Sequence, residues 1–303
     1  MRVLNFGSLN IDHVYLVDHF VRPGETISSQ KLDYFLGGKG LNQSIALAKA
    51  GAEVYHAGKI GVDGDKLKEA LDKYGVNTDY LGRSDGVNGH ALIQVNQSGQ
   101  NCIILFGGSN RTITEDYVDG VLEHFQSGDI VLIQNETSCI SYIAEQCSKK
   151  GIKVAFNPSP ISQDLLTSFP FQYVSLFMIN EVEGKELTGK ENSEEILNSL
   201  ISKYPNSACI LTLGKNGVIY QDKRNTYSYG VYEVPVVDTT AAGDTFTGFF
   251  LGCLARGYDV ETCLKKASVA SSLAVSKRGA SASIPTMEEV TASESTLKYS
   301  PIK

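Results

Sequence analysis

Val237–Gly248, VDTTAAGDTFTG, runs from a β-like stretch through small residues into a helical pattern. Ala241, Ala242 and Gly243 keep side chains out of the way, so backbone N–H groups can face an anion. The helix that follows adds its positive N-terminal end. Asp244 stands at that end. Taken alone, a carboxylate there is accounted for by helix capping. It becomes a general base if a hydroxyl must lose its proton beside the bound anion, which is the arrangement phosphoryl transfer needs.

Leu36–Ser44, LGGKGLNQS, is a second glycine-rich entry to a helix. It fits neither the dinucleotide fingerprint G-x-G-x-x-G nor the phosphate loop G-x-x-x-x-G-K-[ST]. One reading is a plain strand-to-helix turn. The other is a polar pocket in which the Gly38 backbone, the Lys39 ammonium and the Asn42 amide meet a polyol. Asn10 and Asp12 follow the first apolar strand, where ligands of α/β sheets bind. A carboxylate there can accept two hydrogen bonds from a vicinal diol, or can simply make an Asx turn. Glu136 follows DIVLIQN and Glu183 follows LFMIN, with Asn180 one helical turn before Glu183. Thr212–Gly217, TLGKNG, makes a strand-end turn in which Gly214 and Gly217 allow close passage beneath a nucleotide.

These groups need a scaffold, and the chain supplies one by alternation. Strand-like stretches at 2–8, 53–58, 129–134, 153–156, 173–179 and 208–213 are separated by helical patterns at 40–50, 66–74, 138–150 and 194–203. Strands and helices of this length predict βαβ units and a parallel sheet covered on both faces, a doubly wound α/β fold. Asp12–Phe35 and His90–Phe106 break the rhythm. The second carries a turn signal at Gln97–Ser98–Gly99, so we expect a hairpin. Together the stretches at about 12–36 and 88–107 predict a small antiparallel sheet projecting as a lid from a single domain spanning 1–303. A β stretch over 218–236 precedes the Gly-rich turn. Helices follow over about 243–256 and 260–277, with a short one from Met287.

Composition excludes some alternatives. With 303 residues and 42% hydrophobic content the chain can bury a large core. A net charge of −7 gains little on a polyphosphate backbone, so nucleic acid is not an expected partner. No apolar run approaches the roughly 18 residues of a membrane helix, and MRVLNFGSLNID reads as a strand rather than a secretory leader. The six scattered cysteines form no CxxC pair; we expect reduced thiols in a cytoplasmic protein.

The ordered set of motifs resembles the PfkB-type carbohydrate kinases, and among them most closely the ribokinases. GGKGLNQS at 37–44 and DTTAAGDTFTG at 238–248 look like the family's two signatures. Between them lie matches to its NPxP at 157–160, its NExE at 180–183 and its TLGxxG at 212–217. The resemblance covers essentially the whole chain. It implies ATP-dependent phosphorylation of a sugar hydroxymethyl group, with ribose to ribose 5-phosphate as the leading case. Fructose, another sugar or a nucleoside are the alternatives; a non-catalytic sugar or nucleotide sensor on the same scaffold is the competing class. By the same resemblance Asp244 is the base, with Ala242 and Gly243 in the anion hole. Asn10, Asp12, Gly38, Lys39, Asn42 and Glu136 take the sugar. Asn180, Thr212, Gly214, Gly217 and Ser268 border ATP. Asn180 and Glu183 organise Mg²⁺, while Asp238, Thr240, Ala274, Lys277, Gly279 and Ser283 surround K⁺. The resemblance also implies a homodimer joined through the lids. Two stretches depart from the family pattern: NGHALIQVN around His90, and FGGSN at 106–110.

Overall fold

The computed structural model describes residues 1–302. The chain begins β1 (Val3–Phe6), β2 (Asn10–Leu16), β3 (Lys31–Gly37), α1 (Lys39–Lys49), β4 (Val54–Ile60), α2 (Asp65–Lys73) and β5 (Leu81–Arg83). It continues β6 (Gly89–Val95), β7 (Asn101–Phe106), α3 (Glu115–Leu122), β8 (Ile130–Gln134), α4 (Ile140–Lys149), β9 (Lys153–Asn157) and α5 (Gln163–Ser168). Then come β10 (Leu176–Asn180), α6 (Glu181–Thr188), α7 (Ser193–Lys203), β11 (Ala208–Thr212), β12 (Val218–Gln221), β13 (Thr226–Tyr229) and β14 (Val231–Tyr232). The last elements are α8 (Ala242–Ala255), α9 (Val260–Val275), α10 (Met287–Ser293) and β15 (Tyr299–Ser300).

The main sheet has nine strands in the order β13-β12-β11-β10-β9-β8-β1-β4-β5. All neighbours from β5 to β11 are parallel, and β12 and β13 add an antiparallel edge. Side chains alternate between two cores because successive strand residues point to opposite faces. Val3, Ile130 and Leu132 face one cluster with α1, α8 and α9, while Leu4, Val131 and Ile133 face the other with α4 and α7. Strand order reverses between β1 and β8, which opens a crevice at their carboxyl ends, the place where such sheets bind ligands.

The expected doubly wound sheet is therefore present, and so is the small second sheet, in the order β3-β2-β6-β7. Its outer pairs are antiparallel, with the 96–100 turn joining β6 to β7. The central pair β2–β6 is parallel: the two strands lie in separate excursions, not in one hairpin. Two expectations differ from what is found. The strand assigned from Tyr173 starts at Leu176, after a single 3-10 turn at Phe171–Tyr173. The β stretch over 218–236 resolves into three short strands that end at Tyr232. The 115–122 helix, started by the Thr114 hydroxyl accepting the Tyr117 N–H, was not anticipated.

Helices α1 and α8 pack tightly. A Cβ on Gly248 would lie 2.3 Å from Cβ of Ala46, so only glycine lets the two backbones approach this closely. That approach brings the first turn of α1 onto the first turn of α8, where the site forms.

Candidate active site

The turn before α8 is built as its small residues suggest. Ala241 adopts φ 59°, the left-handed region that non-glycine residues seldom occupy. This conformation folds the Ala242 N–H back onto Thr239 O at 3.2 Å. Ala242 was expected to donate to an anion; its donor is already engaged. Among the described residues no acceptor meets the N–H groups of Gly243 and Asp244, and space beside Gly243 is open. Those two unpaired amides, with the helix end behind them, make a corner chemically suited to an anion. Ser271 Oγ fastens the turn from α9 by donating to Ala242 O at 3.1 Å.

Asp244 is buried at 8% exposure. It does not cap α8; that position belongs to Ala241. Its carboxylate instead accepts from Asn42 Nδ2 at 3.0 Å on Oδ2 and from Gln43 Nε2 at 2.8 Å on Oδ1. Both donors sit in the first turn of α1. Asn42 thus spends its amide N–H on Asp244, while its buried Oδ1 has no partner in the protein. An orphaned buried acceptor costs about 1–3 kcal/mol and suits a ligand hydroxyl.

Gly38, with φ 95°, is the N-cap of helix α1. A Cβ there would crowd Ser8 O at 3.0 Å and Asn10 N at 3.1 Å. No side chain of its own segment caps this helix. Glu136, just past β8, does so from across the crevice: its Oε2 accepts the Lys39 N–H at 3.1 Å and the Ser8 hydroxyl. Burial raises the Glu136 carboxyl above its ordinary range, against the pull of Ser8 and Lys39. Asp12 is pushed up to about 6, first by burial and then by the Glu136 charge. Burial pulls the Lys39 ammonium down, but Asp244, Glu136 and Glu183 more than offset it and hold the group above its usual value. Asn10 is buried at 4% exposure, and its Oδ1 accepts from Asn110 Nδ2 at 2.8 Å. The departure FGGSN thus ends on a residue that orients Asn10. His90 lies farther out on the small sheet, between the rings of His13 and Phe106 at 5.6 and 5.0 Å.

A cavity of about 260 Å³ opens on this corner. Its walls include Lys39, Asn157, Asn180, Glu183, Thr212, Gly243 and Asp244, drawn from the start of α1, the carboxyl ends of β9, β10 and β11, the first turn of α6 and the start of α8. Asn180 and Glu183 close a reciprocal cap on α6: Asn180 Oδ1 accepts the Glu183 N–H at 2.9 Å, and Glu183 Oε2 accepts the Asn180 N–H at 3.0 Å. Burial raises the Glu183 carboxyl. Gly214, Gly217 and Ser268 are not in these walls. The two glycines flank the turn after β11, and Ser268 is buried in α9 one turn before Ser271.

One ammonium faces three carboxylates here, so a polyphosphate would meet net negative charge unless a cation came with it. No three His, Cys, Asp or Glu side chains are placed to hold a metal ion together among the described residues. Glu183 offers one carboxylate to Mg²⁺, an ion whose remaining positions phosphate oxygens and water would fill. Asp238 bridges the start of the turn to the loop after α9: Oδ1 accepts the Thr240 N–H at 2.9 Å and Oδ2 accepts the Gly279 N–H at 3.0 Å. Although burial alone would raise it, these bonds hold the Asp238 carboxyl below its ordinary range. The Lys277 ammonium turns outward to Glu289 at 3.0 Å and brings no charge to this corner. The Ala274 carbonyl accepts the Lys277 N–H at 3.1 Å, and the buried Ser283 hydroxyl donates to Ala280 O at 2.8 Å. An all-oxygen set with one carboxylate suits a large monovalent cation better than Mg²⁺.

Sequence reasoning missed Gln43, Gln134 and Asn157 as parts of the site. Gln43 stood next to Asn42 in a motif already noticed, and Gln134 and Asn157 end their strands as Asn180 does.

A doubly wound α/β sheet with a buried carboxylate beside an anion-binding helix end defines a small-molecule phosphotransferase scaffold. The chain belongs to the pfkB family of carbohydrate kinases, which it matches over residues 2–287. It is 34% identical to a ribokinase of Haemophilus influenzae over 295 residues, covering 93% of this chain and 95% of that one. Identity to a Staphylococcus aureus ribokinase is also 34%, over 303 residues, with 95% and 98% covered. The solved structure of Arabidopsis thaliana ribokinase complexed with ribose and ATP superposes with a TM-score of 0.86 at 30% identity, covering 98% of this chain and 99% of that one.

Proposed function

We propose that the protein transfers the γ-phosphoryl group of ATP to the primary hydroxyl of D-ribose, giving ribose 5-phosphate. The observation that carries this reading is the position of Asp244: a buried carboxylate one residue beyond the free Gly243 N–H, opening on a polar cavity. In this reading the sugar lies over Asn10, Asp12, Glu136 and the free Oδ1 of Asn42, on the β1–β8 side of the corner. Carboxylate and amide oxygens there accept its ring hydroxyls. Asp244 takes the proton of the attacking hydroxyl. The N–H groups of Gly243 and Asp244 donate to the transferred phosphoryl oxygens, where charge develops, and the Lys39 ammonium neutralises part of it. Thr212, Asn180, Gly214, Gly217 and Ser268 border the rest of the nucleotide.

Mg²⁺ held by Glu183 and Asn180 through water would supply the positive charge that brings the polyphosphate into an acidic cavity. K⁺ held by Asp238, Thr240, Ala274, Lys277, Gly279 and Ser283, several through backbone carbonyls, would stiffen the turn whose amides meet the anion.

The small sheet is the lid of this site and the contact between two copies. Its edge strands expose Tyr34 at 62%, Ile103 at 54%, Ile104 at 62% and Phe106 at 50%. An edge with free backbone groups and bare apolar side chains calls for a partner. All six cysteines are free thiols, which supports a cytoplasmic setting, and no helix is long and apolar enough to cross a membrane among the described residues.

ATP consumption against a panel of sugars and nucleosides tests the reading. Ribose should give the highest kcat/KM, ahead of fructose, deoxyribose and nucleosides. A nucleoside preferred over every sugar would overturn the substrate, and no turnover with any acceptor would favour a sensor.

A further inference from the structure

We infer that Gln43 is a positioning residue for Asp244, and that its amide is set by a directional hydrogen-bond relay anchored on two backbone carbonyls. The inference rests on the reading of Asp244 as the base. Gln43 Nε2 donates to Asp244 Oδ1 at 2.8 Å and to Asn157 Oδ1 at 3.1 Å. A side-chain amide can sit either way round, and the reverse orientation would aim its oxygen at a carboxylate. Two chains of bonds fix the choice.

The first begins at Gly40 O. A carbonyl can only accept, so Asn5 must present Nδ2 to it, at 2.9 Å. Asn5 Oδ1 then faces Gln134, whose Nε2 donates to it at 2.9 Å and also to Gln43 Oε1 at 2.8 Å. Gln43 is left with its nitrogen toward Asp244. The second chain begins at Met178 O, which takes the Asn157 Nδ2 donor at 2.9 Å and so turns Asn157 Oδ1 to Gln43. Asn5, Gln43 and Gln134 are all fully buried at 0% exposure, where an unmet donor or a reversed amide is costly.

Each member belongs to a different element: Asn5 in β1, Gln134 in β8, Asn157 in β9, Gln43 in α1. The relay therefore ties the carboxylate to three adjacent strands, while the Asn42 bond ties it only to α1. Its consequence is that one oxygen of Asp244 is held still by the sheet, and the other, shared with Asn42 next to its free Oδ1, is the one presented to the sugar hydroxyl.

Gln43→Met keeps length but removes the donor, and Gln134→Glu breaks the relay one step away. Positioning predicts that each lowers kcat by about 10- to 100-fold, the scale set by a misplacement near 1 Å, with the KM for ATP unchanged within about twofold. It also predicts that Gln43→Met costs nothing further in an Asp244→Asn background, because Gln43 acts only through that carboxylate. Gln43→Glu sets a second carboxyl against the first, so the acid limb of its pH–rate profile should move to higher pH. If either Gln43→Met or Gln134→Glu lowers the residual Asp244→Asn rate by the same factor as in wild type, the network is merely structural and the inference fails. Wild-type kcat in folded Gln43→Met also overturns it, while leaving Asp244 as the base. Near-wild-type turnover of Asp244→Asn itself is the separate result that would remove the underlying reading. Should Gln43→Met not fold, the Gln134→Glu cycle decides alone.

Discussion

Asn42 Nδ2 lies 3.0 Å from Asp244 Oδ2, a bond between residues 202 apart in sequence that joins the first turns of α1 and α8. The same side chain carries the buried, unpartnered Oδ1. On the proposed reading, sugar recognition and base placement meet in one amide. Asn42→Ala should raise the sugar KM and lower kcat together, with kcat/KM down about 10- to 100-fold for the loss of a charge-assisted bond and a sugar contact. Steady-state kinetics at saturating ATP read both. A change in KM alone would mean that Asn42 does not support Asp244.

Asp12 gives a prediction in pH. Its carboxyl is raised from 3.8 to about 6 in the folded protein, so between these values the native state binds more protons than the unfolded state. Stability contributed by this group therefore falls as pH rises through that window, and the deficit is complete above it. Asp12→Asn should melt higher than wild type at pH 7.5, by a difference on the order of 1–3 kcal/mol, and the gap should close toward pH 4. The same variant should bind the sugar at least tenfold more weakly. A melting difference that does not change with pH would contradict the desolvated state assigned to Asp12.

The bridge from Asp238 to Thr240 and Gly279 predicts a response to monovalent ions. Rates at constant ionic strength should rise strongly from tetramethylammonium to K⁺ and only weakly to Na⁺. Asp238→Ala should abolish the difference and reduce the K⁺ rate, since preorganised anion donors contribute about 3–4 kcal/mol to such barriers. Equal wild-type rates in K⁺ and tetramethylammonium would reject the cation site.

Exposed Ile104 at the edge of the small sheet predicts association. Sedimentation velocity should find wild type as a dimer at micromolar concentration and Ile104→Glu shifted to monomer, because a buried unpaired carboxylate is strongly unfavourable. A monomeric wild type would show that the lid edge is not a subunit contact.

The two glycine-rich turns were legible because small residues and few charges are concentrated within each, Lys39 in the first and Asp238 and Asp244 in the second. Strand ends carrying Asn10, Glu136, Asn180 and Thr212 were legible from apolar runs that stop at polar residues. What could not be read was which polar groups face one another. Ala242 looked like a free donor until the left-handed turn at Ala241 sent its N–H to Thr239. Asn42 looked free to donate as well as accept, yet its nitrogen serves Asp244 and only its oxygen is left. Gln43 passed unnoticed because its partners come from α8, β8 and β9, and periodicity along α1 says nothing of them. The β2–β6 pairing escaped for a related reason: alternation marks a strand but not its direction.

The central claim is that Asp244 is the base, and Asp244→Asn tests it most directly because it keeps size and hydrogen-bonding reach. The measurement is kcat with ATP and ribose, alongside calorimetric ribose affinity of the same preparation. The account predicts a loss of about 10²–10⁴ in kcat with ribose affinity retained within a few-fold. Turnover within a few-fold of wild type would contradict it.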